Sequence, residues 1–324
     1  MNAIGNLAPA IRKLSLLSQF EMIIDSYEFL YPQGFARIYA SLNELPHLKT
    51  LFMRFNLFNY VGEDHLKAFH MALKKLKSLA KLSIHYLNFP SEVNDEELNN
   101  FSQALQGMKN LSALDLNMNT GERFVKANLQ NLFSTIGSLE KLTKLSLHFD
   151  DAFQLNNEGM EQLSAALLKL ESLKKFYLDT KSSSNKGIEA LANALKTKTN
   201  LRSLSLMFSF QDDVTDRGME HLSSSIKSLG SLSKLLLDFS YSTQITFKGI
   251  NQVLTDIQEL KSLKTILLNC NNWKGISESE VTGLCAILKG FPLLREIYFV
   301  ESNLIRQYRV MIKSALNDIE VIFC

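Results

Sequence analysis

His85 and His148 occupy matching positions in two similar segments, and Asp115 holds a neighbouring column in the segment between them. Two imidazoles and a carboxylate could bind a transition metal or exchange protons. Strand spacing, however, sets positions two repeats apart at roughly 10 Å. That is too far for the histidines to share a zinc ion directly, so neither a metal site nor an acid–base pair is expected, and no cofactor. A Gly-rich phosphate loop, a Cys/His cluster and a nucleophile elbow are missing from the sequence, so the chain reads as a non-enzyme. Lys81, Lys144, Lys175 and Lys234 form a basic column that could track a nucleic-acid backbone. Asp115, Asp179, Asp238 and Glu296 share its face, which makes nucleic acid an unlikely partner and a solvated or salt-bridged column the expected state. Phe52, Arg54, Tyr177 and Tyr298 on the same face are residue types that concentrate binding energy at protein interfaces. Expected contact residues for a protein partner are therefore Phe52, Arg54, Lys81, His85, Asp115, Lys144, His148, Lys175, Tyr177, Asp179, Lys234, Asp238 and Tyr298.

The element that must position these residues is clearest in VTDRGMEHLSSSIKSLGSLSKLLLDF, residues 214–239. Met219, Leu222 and Ile226 are spaced for one face of a helix. Leu235, Leu237 and Phe239 then alternate as one face of a short strand. Thr215 is placed as the helix N-cap, with Val214 ahead of it as a hydrophobic staple.

The same register recurs at Leu48, Leu79, Leu111, Leu142, Leu173, Leu201, Leu232, Leu263 and Leu294, with steps of 31, 32, 31, 31, 28, 31, 31 and 31 residues. Each of these leucines has an apolar residue thirteen positions earlier: Phe35, Leu66, Leu98, Leu129, Met160, Ile188, Met219, Ile250 and Val281. Caps are expected at Gly62, Asn94, Asn156, Ser184, Thr215, Thr246 and Ser277, with Tyr31 and Val125 departing from the pattern. Ser277 with Glu280, and Asn94 with Glu97, read as capping boxes. Gly159, Gly187, Gly218 and Gly249 recur just before the first apolar helix residue, where they suit helix packing rather than phosphate binding.

The LxxLxL core, as in Leu232, Leu235 and Leu237, with a full helix between strands and a period near thirty, resembles the ribonuclease-inhibitor-like class of leucine-rich repeats. The resemblance implies an α/β solenoid: a curved horseshoe of about ten repeats with a parallel inner sheet, outer helices and a concave binding face. Such a sheet would extend on the order of 45 Å. That class usually places Asn or Cys eight positions after the first leucine, whereas only Asn56, Asn119 and Asn271 do so here. One residue earlier stand Phe55, Tyr86, Met118, Phe149, Thr180, Phe208, Phe239, Cys270 and Glu301. The strand alternation is expected to continue, with a mostly aromatic spine partly replacing the polar ladder. Burial of each ring contributes roughly 1.5 to 3 kcal/mol.

A repeat array grows without a second core, so the 324 residues are read as a single domain. Residues 1–30 form an incomplete first repeat, where Ile4, Leu7, Ile11 and Leu17 already keep the register, and residues 303–324 a short closing one. The net charge of +2, from 35 basic and 33 acidic residues, creates no strong field for nucleic acid or an anionic membrane. Cys270, Cys285 and Cys324 are too few for a disulfide framework, which suits a reducing compartment. With no signal-like opening and no long apolar run, a cytoplasmic location off the membrane is expected. The leading expectation is a scaffold that docks proteins within a larger assembly. One alternative is a small-GTPase regulator resembling the Ran GTPase-activating protein, with Arg123 as its loop residue; the other is a ubiquitin-ligase adaptor. Low Pro and Gly with abundant Asn, Lys, Ser and Phe resembles coding from an AT-rich genome. Protist lineages of that kind carry many such repeats, which extends the expectation to cytoskeletal or ciliary structures.

Overall fold

A computed structural model describes residues 3–26, 32–57, 64–87, 95–119, 129–149, 155–181, 183–210, 212–269, 276–300 and 303–324. These fall into two compact units, Met1–Gln154 with Lys169–Ser172, and Leu155–Leu168 with Leu173–Cys324. In the first unit a 3-10 turn, Ala3–Leu7, leads into α1 (Ala8–Arg12) and β1 (Gln19–Ser26). It continues through α2 (Pro32–Leu42), β2 (Thr50–Leu57), α3 (Asp64–Leu73), β3 (Lys81–Leu87), α4 (Asp95–Gln106), β4 (Ala113–Asn119), α5 (Gln130–Gly137) and β5 (Lys144–Phe149). The second unit runs through α6 (Asn157–Lys169), β6 (Lys175–Asp179), α7 (Asn185–Leu195), β7 (Ser203–Met207), α8 (Asp216–Ile226) and β8 (Lys234–Asp238). It ends with α9 (Phe247–Asp256), β9 (Thr265–Asn269), α10 (Glu278–Lys289), β10 (Glu296–Val300), α11 (Asn303–Ala315) and β11 (Glu320–Phe323).

Within each unit the strands pair in parallel in chain order. Each unit is thus an α/β repeat solenoid, and the chain carries about ten to eleven strand–helix repeats. From Leu48 to Leu294 the first core leucine of each repeat is buried, and the strand starts two residues later, as at Leu232 and Lys234. In β3, Leu82, Ile84 and Tyr86 are buried while Lys81 is exposed and Ser83 and His85 are part-exposed. Alternation along the strand therefore separates a core side from a solvent-facing side.

The aromatic column is buried wherever it is described. Phe55, Tyr86, Met118 and Phe149 line it in the first unit, and Thr180, Phe208 and Phe239 in the second. Phe55 stacks on Tyr86 with centroids 5.5 Å apart, and Phe208 tilts against Phe239 at 5.7 Å. In the first unit, β2 to β5 run to the spine residue or beyond it. In the second, β6, β7 and β8 stop one residue short of it, yet the Thr180 amide still donates to Met207 and the Phe208 amide to Asp238. Cys270 and Glu301 lie outside the described residues.

Helix starts carry a polar ladder of their own. Asn156, Ser184, Thr215 and Thr246 accept from first-turn amides, and Ser277 with Glu280 completes a capping box. The first residue of one helix also reaches the next repeat's cap. Asn157 accepts from Ser184 and from the Gly187 amide, Asn185 bonds Thr215 twice, and Asp216 accepts from the Thr246 amide and hydroxyl. This ladder explains Gly187, Gly218 and Gly249, whereas Gly159 is crowded by Leu155 instead: a Cβ on Gly218 would lie 2.7 Å from Asn185 Oδ1 and 3.0 Å from Val214 Cγ1. The capping positions Tyr31, Gly62, Asn94 and Val125 lie outside the described residues, as does Arg123.

The opening of the chain departs from the expected register. Gly5, Ala8 and Ile11 face inward, while Leu7 is 54% exposed. The cause is the 3-10 turn, whose three residues per turn rotate the face that a continuous helix would have buried. At the other end Ile312 and Leu316 are buried, and β11 pairs in parallel with β10. Among the described residues no helix is long and apolar enough to cross a membrane.

Candidate interaction face

Strand register turns the sequence columns into rows across the sheet. In the first unit, Thr50, Lys81, Ala113 and Lys144 form one row, and Phe52, Ser83, Asp115 and Ser146 the next. Arg54, His85, Asn117 and His148 form the third. In the second unit the matching rows run Lys175, Ser203, Lys234, Thr265 and Glu296, then Tyr177, Ser205, Leu236, Leu267 and Tyr298, then Asp179, Met207, Asp238, Asn269 and Val300. Each expected contact residue thus lies on its row.

The first unit contains a polar cluster centred on Asp115. His85 Nε2 lies 3.2 Å from Asp115 Oδ2, and the Ser83 hydroxyl donates to that oxygen at 3.1 Å. His148 Nε2 approaches the other oxygen, Oδ1, to 3.8 Å. The side chains lean across the rows, so two histidines separated by a repeat converge on one carboxylate. Burial pushes the Asp115 carboxyl up, but the hydrogen bonds from His85 and Ser83 and the charges of both histidines outweigh it and hold the group below its ordinary value. Ser83 Oγ also lies 3.1 Å from His85 Nε2. The hydroxyl and the carboxylate thus meet the same ring nitrogen. Base activation of a nucleophile instead needs them on opposite nitrogens. Among the described residues no group of three or more His, Cys, Asp or Glu could hold a metal ion.

Phe52 stands edge-on to His85 with centroids 5.1 Å apart. Arg54 Nη2 lies 3.9 Å from Asp25, and its Nε is buried without an acceptor among the described residues. In the second unit the Tyr177 hydroxyl donates to Met207 Sδ, and Tyr298 rests 3.5 Å from Glu296. Lys81, Lys144, Lys175 and Lys234 are exposed, while Asp179 is part-exposed.

Asp238 differs from expectation. It is only 6% exposed; its Oδ1 accepts from the Ser240 amide and its Oδ2 from Asn269 Nδ2. Its carboxylate fixes the loop after β8 instead of offering a surface charge. Sequence reasoning did not include Ser83 and Asp25 among the contact residues, although both lie on the same face and bond to residues that it did include. Neither protein-family models nor the curated proteins match this chain.

Proposed function

We propose that this chain is a leucine-rich-repeat protein of the ribonuclease-inhibitor-like class, an aromatic-spine variant, that works as a non-enzymatic docking scaffold in a larger cytoplasmic assembly. Its buried LxxLxL leucines and its strand–helix period support that class. The observation that carries the functional reading is the set of register rows. In each unit they hold aromatic, cationic and acidic side chains part-exposed on one side of the strands, spaced by the sheet itself. Such a surface combines aromatic and Arg anchors with charged groups that select a partner. The resemblance of the composition to coding from an AT-rich genome extends the proposal to a cytoskeletal or ciliary assembly.

Replacing Arg54 and Tyr177 together by Ala tests this reading. Affinity for a protein retained by the immobilised chain is expected to fall by about tenfold or more, with secondary structure unchanged by circular dichroism. Equal retention by the variant would move the docking surface off these rows.

A further inference from the structure

Phe210 and Tyr241 follow β7 and β8 at equivalent positions, and both have φ of 60°. Among the described residues they are the only non-glycine residues with positive φ. Bulky side chains are genuine outliers there, since Cβ crowds the backbone carbonyl. Both rings are nevertheless on the outside, 54% and 48% exposed, and stack nearly parallel with centroids 4.5 Å apart and planes 8° from parallel. The separation is close to the strand spacing, so the repeat pitch itself holds the rings in contact.

The loops that carry them are tightly fixed. The Phe210 amide donates to Ser240 O at 2.9 Å, and the buried Ser242 hydroxyl to Phe208 O at 3.1 Å. Asp238 accepts from the Ser240 amide beneath them. The rings therefore form a rigid platform. Lys181 Nζ lies over the Phe210 ring, 5.3 Å from its centroid, so the chain itself already places a cation on this π surface. Asp212 and Asp213, two and three residues on from Phe210, are exposed, and Asp212 is tied to the Tyr241 loop by the Thr243 hydroxyl at 3.1 Å.

We infer that the Phe210–Tyr241 platform with Asp212 and Asp213 binds an arginine-bearing basic segment of a partner polypeptide. The rings cover each other's inner faces and Lys181 lies over the Phe210 face, so a guanidinium would lie against the exposed Tyr241 ring, planar on planar, while its N–H fork meets a carboxylate, which an ammonium cannot do. The two carboxylates oppose a phosphate backbone, so the platform suits a basic peptide better than a nucleobase stack. This surface lies past the strand ends, outside the expected contact residues, although the row residue Asp238 fixes the loop that carries it.

The test is fluorescence anisotropy of the full chain with a labelled peptide of alternating Arg and Gly, against its Lys–Gly counterpart and a labelled oligo(U). Glycine takes φ of 60° without strain, so the Phe210→Gly, Tyr241→Gly pair removes the rings and keeps the fold. An unchanged melt checks this. The Arg peptide is expected to bind more tightly than the Lys peptide and to lose about tenfold in affinity in the glycine pair. The Asp212→Asn, Asp213→Asn pair, on exposed side chains, is expected to weaken it similarly. Absence of Arg-peptide binding, or equal binding of both peptides unaffected by the glycine pair, overturns the inference. So does oligo(U) binding that the glycine pair abolishes, which would assign the platform to bases.

Discussion

Phe208→Ala is expected to lower the unfolding free energy by about 3 to 5 kcal/mol, the usual cost of emptying a buried phenylalanine site. The ring has no exposed surface, packs against Phe239, and sits where amide and carbonyl both anchor the loop after β7. Neighbouring strands hold the backbone in place, so the site cannot collapse around the missing ring. Phe210→Ala, two residues on and half-exposed, is a matched control and is expected to shift the urea midpoint little. If the two variants unfold together, the spine does not hold the repeats as described.

Acidification is the second large effect. The His65 ring has no exposed surface, meets Phe35 and Phe55 edge-on, and places Nε2 2.9 Å from the Tyr39 hydroxyl. Its Nδ1 is buried with no partner among the described residues. Burial, and then the nearby charge of His70, lower its pKa from 6.5 to about 4. Between those values the unfolded chain takes up a proton that the folded chain refuses. Stability present above pH 6.5 is therefore lost as the pH falls toward 4. At about 1.4 kcal/mol per pH unit the loss comes to about 3 kcal/mol. His65→Phe keeps an aromatic ring and removes the titration, so the wild-type urea midpoint should fall relative to that of the variant as the pH drops. Parallel curves from pH 7 to 4.5 would show that His65 does not carry this dependence.

The period of the leucines made the rows legible because in a parallel sheet each equivalent residue sits directly beside the last. Once Leu111 and Leu142 share a register, Asp115 must stand next to Ser146, and it does. Burial at Asp238 was not legible in the same way. It reads as a surface acid like Asp179, and only the amide of Ser240 and the amide group of Asn269 turn it inward. Phe210 and Tyr241 were hidden by propensity itself, since nothing about an aromatic residue suggests a left-handed backbone. Leu7 failed for a local reason, the tighter turn of a 3-10 helix. The cap column of Ser184, Thr215 and Thr246 was legible, but the Asn157, Asn185 and Asp216 side chains that bond it lie one repeat away and only the stacking of helices reveals them.

Docking on the register rows is the central functional claim, and crosslinking mass spectrometry on the natively purified chain tests it most directly. The four exposed row lysines report the face in each unit. Links from Lys81, Lys144, Lys175 and Lys234 to one stably bound protein are the expected result. Links confined to helix lysines such as Lys186 and Lys248, with none from the rows, would contradict it.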